Sequence, residues 1–135
     1  MIAKVNSEGH APGAEVKLNE SMTAISFDEW GMWHPEAKHN EGYRQRQTMR
    51  DAIFAAGALH LFYRESDIVK IAMQTQTVNC LQSLMETRRE DFFFTPTFWV
   101  MKLFKAHCGQ FVANMVIDEN DSFVDIFASI NDIGN

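Results

Sequence analysis

The chain has 135 residues, of which 46% are hydrophobic and 22% are charged, as in an ordinary globular domain large enough for its own core. Its formal net charge of −6 argues against a phosphate-backbone partner, so we expect no nucleic acid ligand. Neither an apolar run of about 18 residues nor a signal-like apolar segment after Met1 occurs, which predicts a cytoplasmic protein without a membrane span.

The first predicted element is a buried strand at 22–30, a short apolar run that follows a polar connection at 6–22. The strand ends in two carboxylates, Asp28 and Glu29, which lie between aromatic residues. The polar composition of 34–42 predicts a loop after it. A strand of this kind can deliver an acidic side chain to a sugar-sized pocket, but glycosidic chemistry needs a second carboxylate as well.

The clearest predicted helix runs over 48–64, with a threonine at its start and Asp51 three residues later, where the helix dipole favours a carboxylate. A second buried strand is predicted at 68–73 because of its short apolar run. After it, 77–85 is predicted as a short helix and 86–91 as a charged turn.

A last helix is predicted at 96–106, since Pro96 suits the first helical position. The apolar runs at 111–117 and 123–128, joined by acidic residues, predict a hairpin. The order of strand, helix, strand and helix favours parallel βα units, followed by a separate pair of strands.

Polar and aromatic side chains follow both predicted parallel strands. They are Asp28, Glu29, Trp30 and Trp33 after the first strand, and Gln74, Gln76 and Asn79 after the second. If the strands are neighbours, these groups meet at one rim and make a carbohydrate site, with indoles packing on the sugar and amides bonding its hydroxyls. On composition alone an alternative stays open, in which both indoles are core residues and the carboxylates merely begin a loop.

Two weaker patterns are interpreted as ordinary surface. His34 and His39 flank Glu36, a grouping that suggests metal ligands. No helix or strand fixes their spacing, so we expect solvated loop residues and no metal site. His107 and Cys108 are adjacent, and adjacent side chains rarely point at each other, so they are not interpreted as a nucleophile pair.

Further expectations concern burial. Cys80 and Cys108 lack the spacing of a metal site or a disulfide framework and are predicted to be buried thiols in a reducing compartment. The residues at 44–46 and 88–89 are predicted to be solvated surface, and the phenylalanine run at 92–94 to be core.

The segment 27–33, which contains both carboxylates and Trp33, resembles the nucleophile motif of the α-L-arabinofuranosidases of glycoside hydrolase family 51. The likeness continues in order along the chain. Segment 47–52 resembles the start of the family's seventh barrel helix, 66–72 its eighth strand, 76–81 the segment that follows, and 95–98 the start of the last helix. It extends from about residue 23 to 109, with His34 standing where a tyrosine is frequent.

The resemblance implies an α/β fold built as part of a (β/α)8 TIM barrel. Strands seven and eight with their helices would occupy 23–107, and 108–135 would begin a truncated C-terminal β-sandwich with a β-hairpin. Residues 1–22 would be a connection or the remnant of the preceding barrel helix.

The resemblance also implies the activity and its residues. Glu29 matches the nucleophile, Trp33 an aromatic residue that lines the sugar site, and Gln76 an amide that contacts arabinose. The implied reaction is retaining hydrolysis of terminal non-reducing α-L-arabinofuranosyl residues of arabinan or arabinoxylan oligosaccharides, with no cofactor and no metal.

The family's acid/base glutamate follows a Gly-Asn pair, and this sequence has no such tripeptide. Asn19-Glu20 and Asn40-Glu41 are interpreted as loop dipeptides. We therefore expect a fragment that is inactive on its own, and either a homo-oligomer or a partner that supplies the N-terminal part of the barrel. The alternative is a non-catalytic carbohydrate-binding or interaction protein derived from that barrel.

Overall fold

The computed structural model describes residues 24–74, 76–113 and 124–131. The described elements, in chain order, are β1 (Ile25–Trp30), α1 (Met49–Arg64), β2 (Val69–Gln74), β3 (Met85–Arg88), β4 (Asp91–Phe94), α2 (Pro96–Phe104), β5 (Phe111–Val112) and β6 (Ser129–Ile130). Short 3-10 turns lie at His39–Glu41 and Lys105–His107. No described helix is both long and apolar enough to cross a membrane.

Strands β1 and β2 pair in parallel, which confirms the two predicted strands and their neighbourhood. The register joins Phe27 to Ala72 and Trp30 to Gln74, so β1 has one residue more than β2 between these pairs. That irregularity is a β-bulge at 28–29. The predicted burial of the strands is wrong, because most of their residues are exposed or half-buried in the described part of the chain.

The predicted helix at 48–64 is confirmed as α1, and its start is capped as expected. The Thr48 backbone N–H donates to Asp51 Oδ2 over 2.7 Å, which satisfies one of the amides left unpaired at the helix N-terminus. The predicted helix at 96–106 is also confirmed, as α2, with Thr95 Oγ1 accepting from the Phe98 N–H over 3.4 Å and proline in the first turn. The last two predicted residues, 105 and 106, lie in the 3-10 turn that follows α2.

The short helix predicted at 77–85 is wrong. Asn79 and Leu81 have left-handed backbones with φ of 58° and 48°, which a helix excludes. The Leu81 N–H donates to the Tyr43 carbonyl over 2.9 Å, so contacts distant in sequence override the local preference.

The region predicted as a charged turn is a β-hairpin instead. Strands β3 and β4 pair antiparallel, with Glu86 opposite Phe93 and Arg88 opposite Asp91. The prediction that Phe92, Phe93 and Phe94 are core is also wrong, since these side chains are 63%, 43% and 38% exposed.

Strands β5 and β6 pair antiparallel, with Phe111 opposite Ile130, in agreement with a hairpin near the end of the chain. The second strand is Ser129–Ile130 rather than the predicted 123–128. The predicted connection at 118–121 and the segment at 1–22 lie outside the described residues.

The largest completely buried side chains of the described residues are polar. Helices α1 and α2 contact each other, and Ala52 and Ala55 are buried on α1. The fully buried side chains of greatest volume are Gln82, Thr95, Thr97, Asp51 and Ser83. A buried polar side chain is tolerated only with hydrogen-bond partners, so these residues form a network between the elements.

Candidate functional site

Glu29 lies at the carboxyl end of β1, inside the bulge, and its side chain is exposed together with that of Asp28. Alternation along a regular strand would turn one of two successive side chains inward, and the bulge removes that constraint. Asp28 accepts a hydrogen bond from Ser26 Oγ over 3.0 Å. Within the described part of the chain the Glu29 carboxylate has no hydrogen-bond partner.

The end of β2 lies beside that of β1, as the sequence predicted, because Trp30 and Gln74 are register partners. Gln76 follows two residues beyond the strand and is exposed. Gln74 is committed elsewhere, since its Nε2 donates to the Gln82 carbonyl. The rim therefore combines an exposed carboxylate on one strand with an exposed amide after the next.

The third predicted amide does not belong to this rim. Asn79 Oδ1 accepts from the Thr87 N–H over 2.8 Å, and its Nδ2 donates to Thr87 Oγ1 over 2.6 Å. Both of its polar atoms are thus used to fasten the β3–β4 hairpin.

The two tryptophans of the motif differ in burial. Trp30 is 7% exposed and packs edge-on against Phe62, with ring centroids 5.3 Å apart, so it is a core residue. Trp33 is 46% exposed, its Nε1 donates to the Ala37 carbonyl over 3.0 Å, and it packs edge-on against Tyr43. A fixed, partly exposed indole of this kind offers a face on which a sugar can pack.

The prediction that His34 is a solvated loop residue is wrong. It is 3% exposed, and its Nε2 lies 2.7 Å from Asp51 Oδ1 and 3.0 Å from Arg50 Nη2. Asp51 follows the cap of α1 and reaches the loop after β1, so the pair ties that loop to the helix. Among the described residues no group of three acidic, histidine or cysteine side chains could hold a metal ion.

Sequence reasoning missed the glutamines behind the rim. Gln45, predicted as solvated, is 7% exposed and bonds two backbone groups of the loop after β1. Its Nε2 donates to the Met32 carbonyl over 2.9 Å, and its Oε1 accepts from the His34 N–H over 3.0 Å. Gln82 Oε1 accepts from the Met32 N–H over 2.7 Å. Nothing local in the sequence distinguishes these glutamines from surface ones.

A second part of the network lies under α2. Gln47 Nε2 donates to the Ser83 carbonyl over 2.7 Å, and its Oε1 accepts from Thr97 Oγ1 over 3.2 Å. Thr95 Oγ1 donates to the same Ser83 carbonyl over 2.7 Å. These bonds fix the segment before β3 against the start of α2.

The cysteines do not match the predicted burial, since Cys108 is exposed and Cys80 is half-buried. Cys108 Sγ lies 3.4 Å from the Tyr63 hydroxyl, and burial, with the thiol beside it, raises the pKa of Tyr63. His107 Nδ1 lies 2.7 Å from Ser129 Oγ. An open cavity of about 600 Å³ lies beside these residues, lined mainly by apolar side chains of α1, β2 and α2.

Known proteins share this arrangement of elements. The family profile of the α-L-arabinofuranosidase C-terminal domain matches residues 28–129. An intracellular exo-α-L-arabinofuranosidase of Bacteroides ovatus is 38% identical over 90 residues, which are 65% of this chain and 18% of that protein. A probable α-L-arabinofuranosidase C of Aspergillus clavatus is 34% identical over 91 residues, 67% of this chain and 18% of that protein.

Solved structures agree with the sequence matches. The arabinofuranosidase of Thermotoga maritima, solved with arabinose, matches with a TM-score of 0.69 and 27% identity over 82% of this chain and 26% of its own. The family 51 arabinofuranosidase of Xanthomonas axonopodis pv. citri matches with a TM-score of 0.65 and 28% identity over 82% and 24%. The chain thus corresponds to about a quarter or less of each of these proteins. It belongs to the family of α-L-arabinofuranosidase C-terminal domains, as found in the arabinofuranosidases of glycoside hydrolase family 51.

Proposed function

We propose that this chain carries the nucleophile half of a retaining α-L-arabinofuranosidase site, with Glu29 as the nucleophile. The observation that carries the proposal is the bulge that exposes Glu29 at the carboxyl end of a parallel strand pair. Functional groups of parallel α/β folds cluster at that end. The names of the relatives support α-L-arabinofuranosyl groups as the substrate class. Within that class we propose terminal residues of arabinan or arabinoxylan oligosaccharides.

In this proposal Glu29 attacks the anomeric carbon and forms a covalent glycosyl-enzyme, while a second carboxyl group protonates the departing oxygen. That group must lie about 5–5.5 Å away in a retaining enzyme and later activates the water that releases the sugar. Trp33 would pack against the sugar ring, and the Gln76 amide would bond its hydroxyls. Neither a metal nor a cofactor takes part in these steps.

The second carboxylate is proposed to come from a complementing polypeptide that supplies the Gly-Asn-Glu segment and the other barrel strands. In this arrangement β1 and β2 are strands seven and eight of the barrel, and their unpaired edges take the neighbouring strands. Without that polypeptide the chain would not hydrolyse an arabinofuranoside, because the second carboxyl group is missing, while Glu29 would still pair with a cationic sugar mimic. We place the protein in the cytoplasm, as the relative named as intracellular suggests by analogy.

The first prediction concerns Glu29 and can be tested on the chain alone. A cationic arabinofuranose mimic, 1,4-dideoxy-1,4-imino-L-arabinitol, should bind because its ammonium group can pair with the nucleophile. Glu29→Gln removes the charge-assisted bond and is expected to raise the dissociation constant measured by calorimetry by about 10- to 100-fold. Asp28→Asn is the matched control, an exposed carboxylate one residue away, and should change the constant by less than about twofold.

Equal losses in the two variants would contradict a specific role of Glu29. Binding of arabinofuranosyl ligands that both variants retain would instead favour the non-catalytic carbohydrate-binding alternative. Turnover of an aryl arabinofuranoside by the purified chain, abolished by Glu29→Gln, would show that no complementing carboxylate is needed.

A further inference from the structure

We propose that Gln82 is a positioning residue that holds the carboxyl ends of β1 and β2 together as one rim. It lies in the segment before β3 and is 0% exposed. The neighbouring residues in the sequence do not indicate this role. The hydrogen-bond partners of Gln82 are Met32, Gln74 and Asp51, which belong to three other parts of the fold. The inference rests on the proposed function of Glu29, since it assigns the support of that same site.

The first bond of Gln82 reaches the nucleophile strand. Its Oε1 accepts from the Met32 N–H over 2.7 Å, three residues beyond Glu29. Between them Gly31 has a φ of 152°, a backbone that side-chain-bearing residues rarely adopt, and it turns the chain out of the strand. The bond fixes the point at which β1 leaves the sheet, and therefore the position of the bulge.

The other two bonds reach the second strand and the helix. The Gln74 side chain donates to the main-chain carbonyl of Gln82, so the end of β2 is held by the backbone of the same residue. Gln82 Nε2 donates to the Asp51 carbonyl over 2.6 Å in the first turn of α1. One buried residue thus bonds both strand ends and the helix between them.

A glutamine suits this position for a chemical reason. Its amide offers a donor and an acceptor on adjacent atoms, and here one of each is used: the oxygen accepts from the Met32 N–H, and the nitrogen donates to the Asp51 carbonyl. An apolar side chain of equal length would leave the Met32 N–H without this partner and would remove the link to the first turn of α1, so the rim would loosen. Displacements of about 1 Å at such a site weaken ligand binding strongly.

The test compares Gln82→Met with Thr97→Val. The first removes both side-chain bonds of Gln82 at nearly constant volume. The second also removes a bond of a completely buried side chain, the one from Thr97 to Gln47, but it does not touch either strand end. We expect Gln82→Met to raise the dissociation constant of the iminosugar about tenfold and to speed exchange of the Met32 amide by a similar factor. Thr97→Val should leave the dissociation constant and the exchange rate of the Met32 amide within about twofold of the parent's values.

Gln82→Glu supplies a rescue that a merely structural role would not show. Burial raises the pKa of a carboxyl group, and the protonated form again has an O–H donor beside a carbonyl acceptor. The ratio of the variant's dissociation constant to that of the parent should therefore fall towards one between about pH 7.5 and about pH 5. Asp51 and His34 are the titratable groups that face this position. Both proteins contain them, so their effect on the dissociation constant cancels when the ratio is taken.

The outcomes separate this inference from the function on which it rests. If the parent does not bind the iminosugar, the proposed sugar site fails, and exchange of the Met32 amide alone then decides the role of Gln82. The inference is overturned if Gln82→Met leaves that exchange unchanged, or if Thr97→Val has the same effect. If Gln82→Met does not fold, the pH dependence of Gln82→Glu decides, and a ratio that stays constant counts against the inference.

Discussion

At the scale of single residues, both carboxylate oxygens of Asp51 have partners inside the protein. One carboxylate oxygen caps α1 through the Thr48 N–H, and the other meets His34 on the loop after β1. Both members of the pair are almost completely buried, with 4% of the His34 side chain and none of the Asp51 side chain exposed. A charge in such a place is tolerated only with partners, because it has lost its hydration.

We predict that His34→Ala lowers the free energy of unfolding by about 3 kcal/mol, since it leaves a buried carboxylate without its ring partner. His39→Ala is the control, an exposed histidine in the same loop, and should change it by less than about 0.5 kcal/mol. Urea denaturation followed by tryptophan fluorescence measures both. Equal effects would mean that the buried pair contributes little beyond packing.

At the scale of elements, the last turns of α1 hold the segment that leads into β6. Asp125 accepts from Arg64 Nη2 over 2.5 Å and lies 2.8 Å from His60 Nδ1. Arg64 also donates to the Ile126 carbonyl over 2.6 Å, and Phe127 stacks on Tyr63 with centroids 5.1 Å apart. Charge and aromatic packing therefore act together at this contact.

This contact predicts a pH dependence. Burial tends to raise the pKa of Asp125, but the hydrogen bonds from Arg64 and His60 outweigh it and hold the pKa below its ordinary value. A lowered folded-state pKa gives stability that is present above the unfolded value, about 3.9, and is lost as the pH falls through the folded value. Half of the Asp125 side chain is exposed, so the contribution at neutral pH is a few tenths of a kcal/mol.

The measurement is the difference in unfolding free energy between the parent and Asp125→Asn, followed from about pH 7 to about pH 3. We expect a difference at neutral pH that becomes smaller as the pH falls below the unfolded value, about 3.9, and that also becomes smaller at high salt. Asp67→Asn, at another exposed carboxylate, should give a difference that is smaller and flat. A difference that grows in acid would have the wrong sign and would refute this account of Asp125.

At the scale of the whole molecule, the sequence predicted the strands and helices that local patterns of residues determine. Apolar periodicity and caps located β1, β2, α1 and α2, and the motif around Glu29 located the candidate site. The left-handed Leu81 and the buried Gln82 were missed, because their conformations depend on Tyr43 and Met32, which are far away in the sequence. The role of Gln76 in sugar binding stays a prediction.

The final prediction concerns complementation. A polypeptide with the preceding barrel strands and the Gly-Asn-Glu segment, added to this chain, is expected to give turnover of 4-nitrophenyl α-L-arabinofuranoside that neither component shows alone. Replacing either that glutamate or Glu29 by glutamine should reduce the rate by several orders of magnitude, because each carboxyl group is essential to the double displacement. Undiminished turnover in the Glu29→Gln mixture would assign the nucleophile to another residue.

The hairpin strand β4 has a consequence for handling the protein. Three successive phenylalanines lie on an exposed strand of a two-stranded sheet, a pattern that favours aggregation through strand addition. Arg88 lies over the Phe93 ring at 5.6 Å, and Lys102 over the neighbouring Trp99 ring at 5.1 Å. Charged side chains beside an exposed aromatic strand oppose strand addition, so we expect self-association of the chain to increase at high salt, where these two charges are screened.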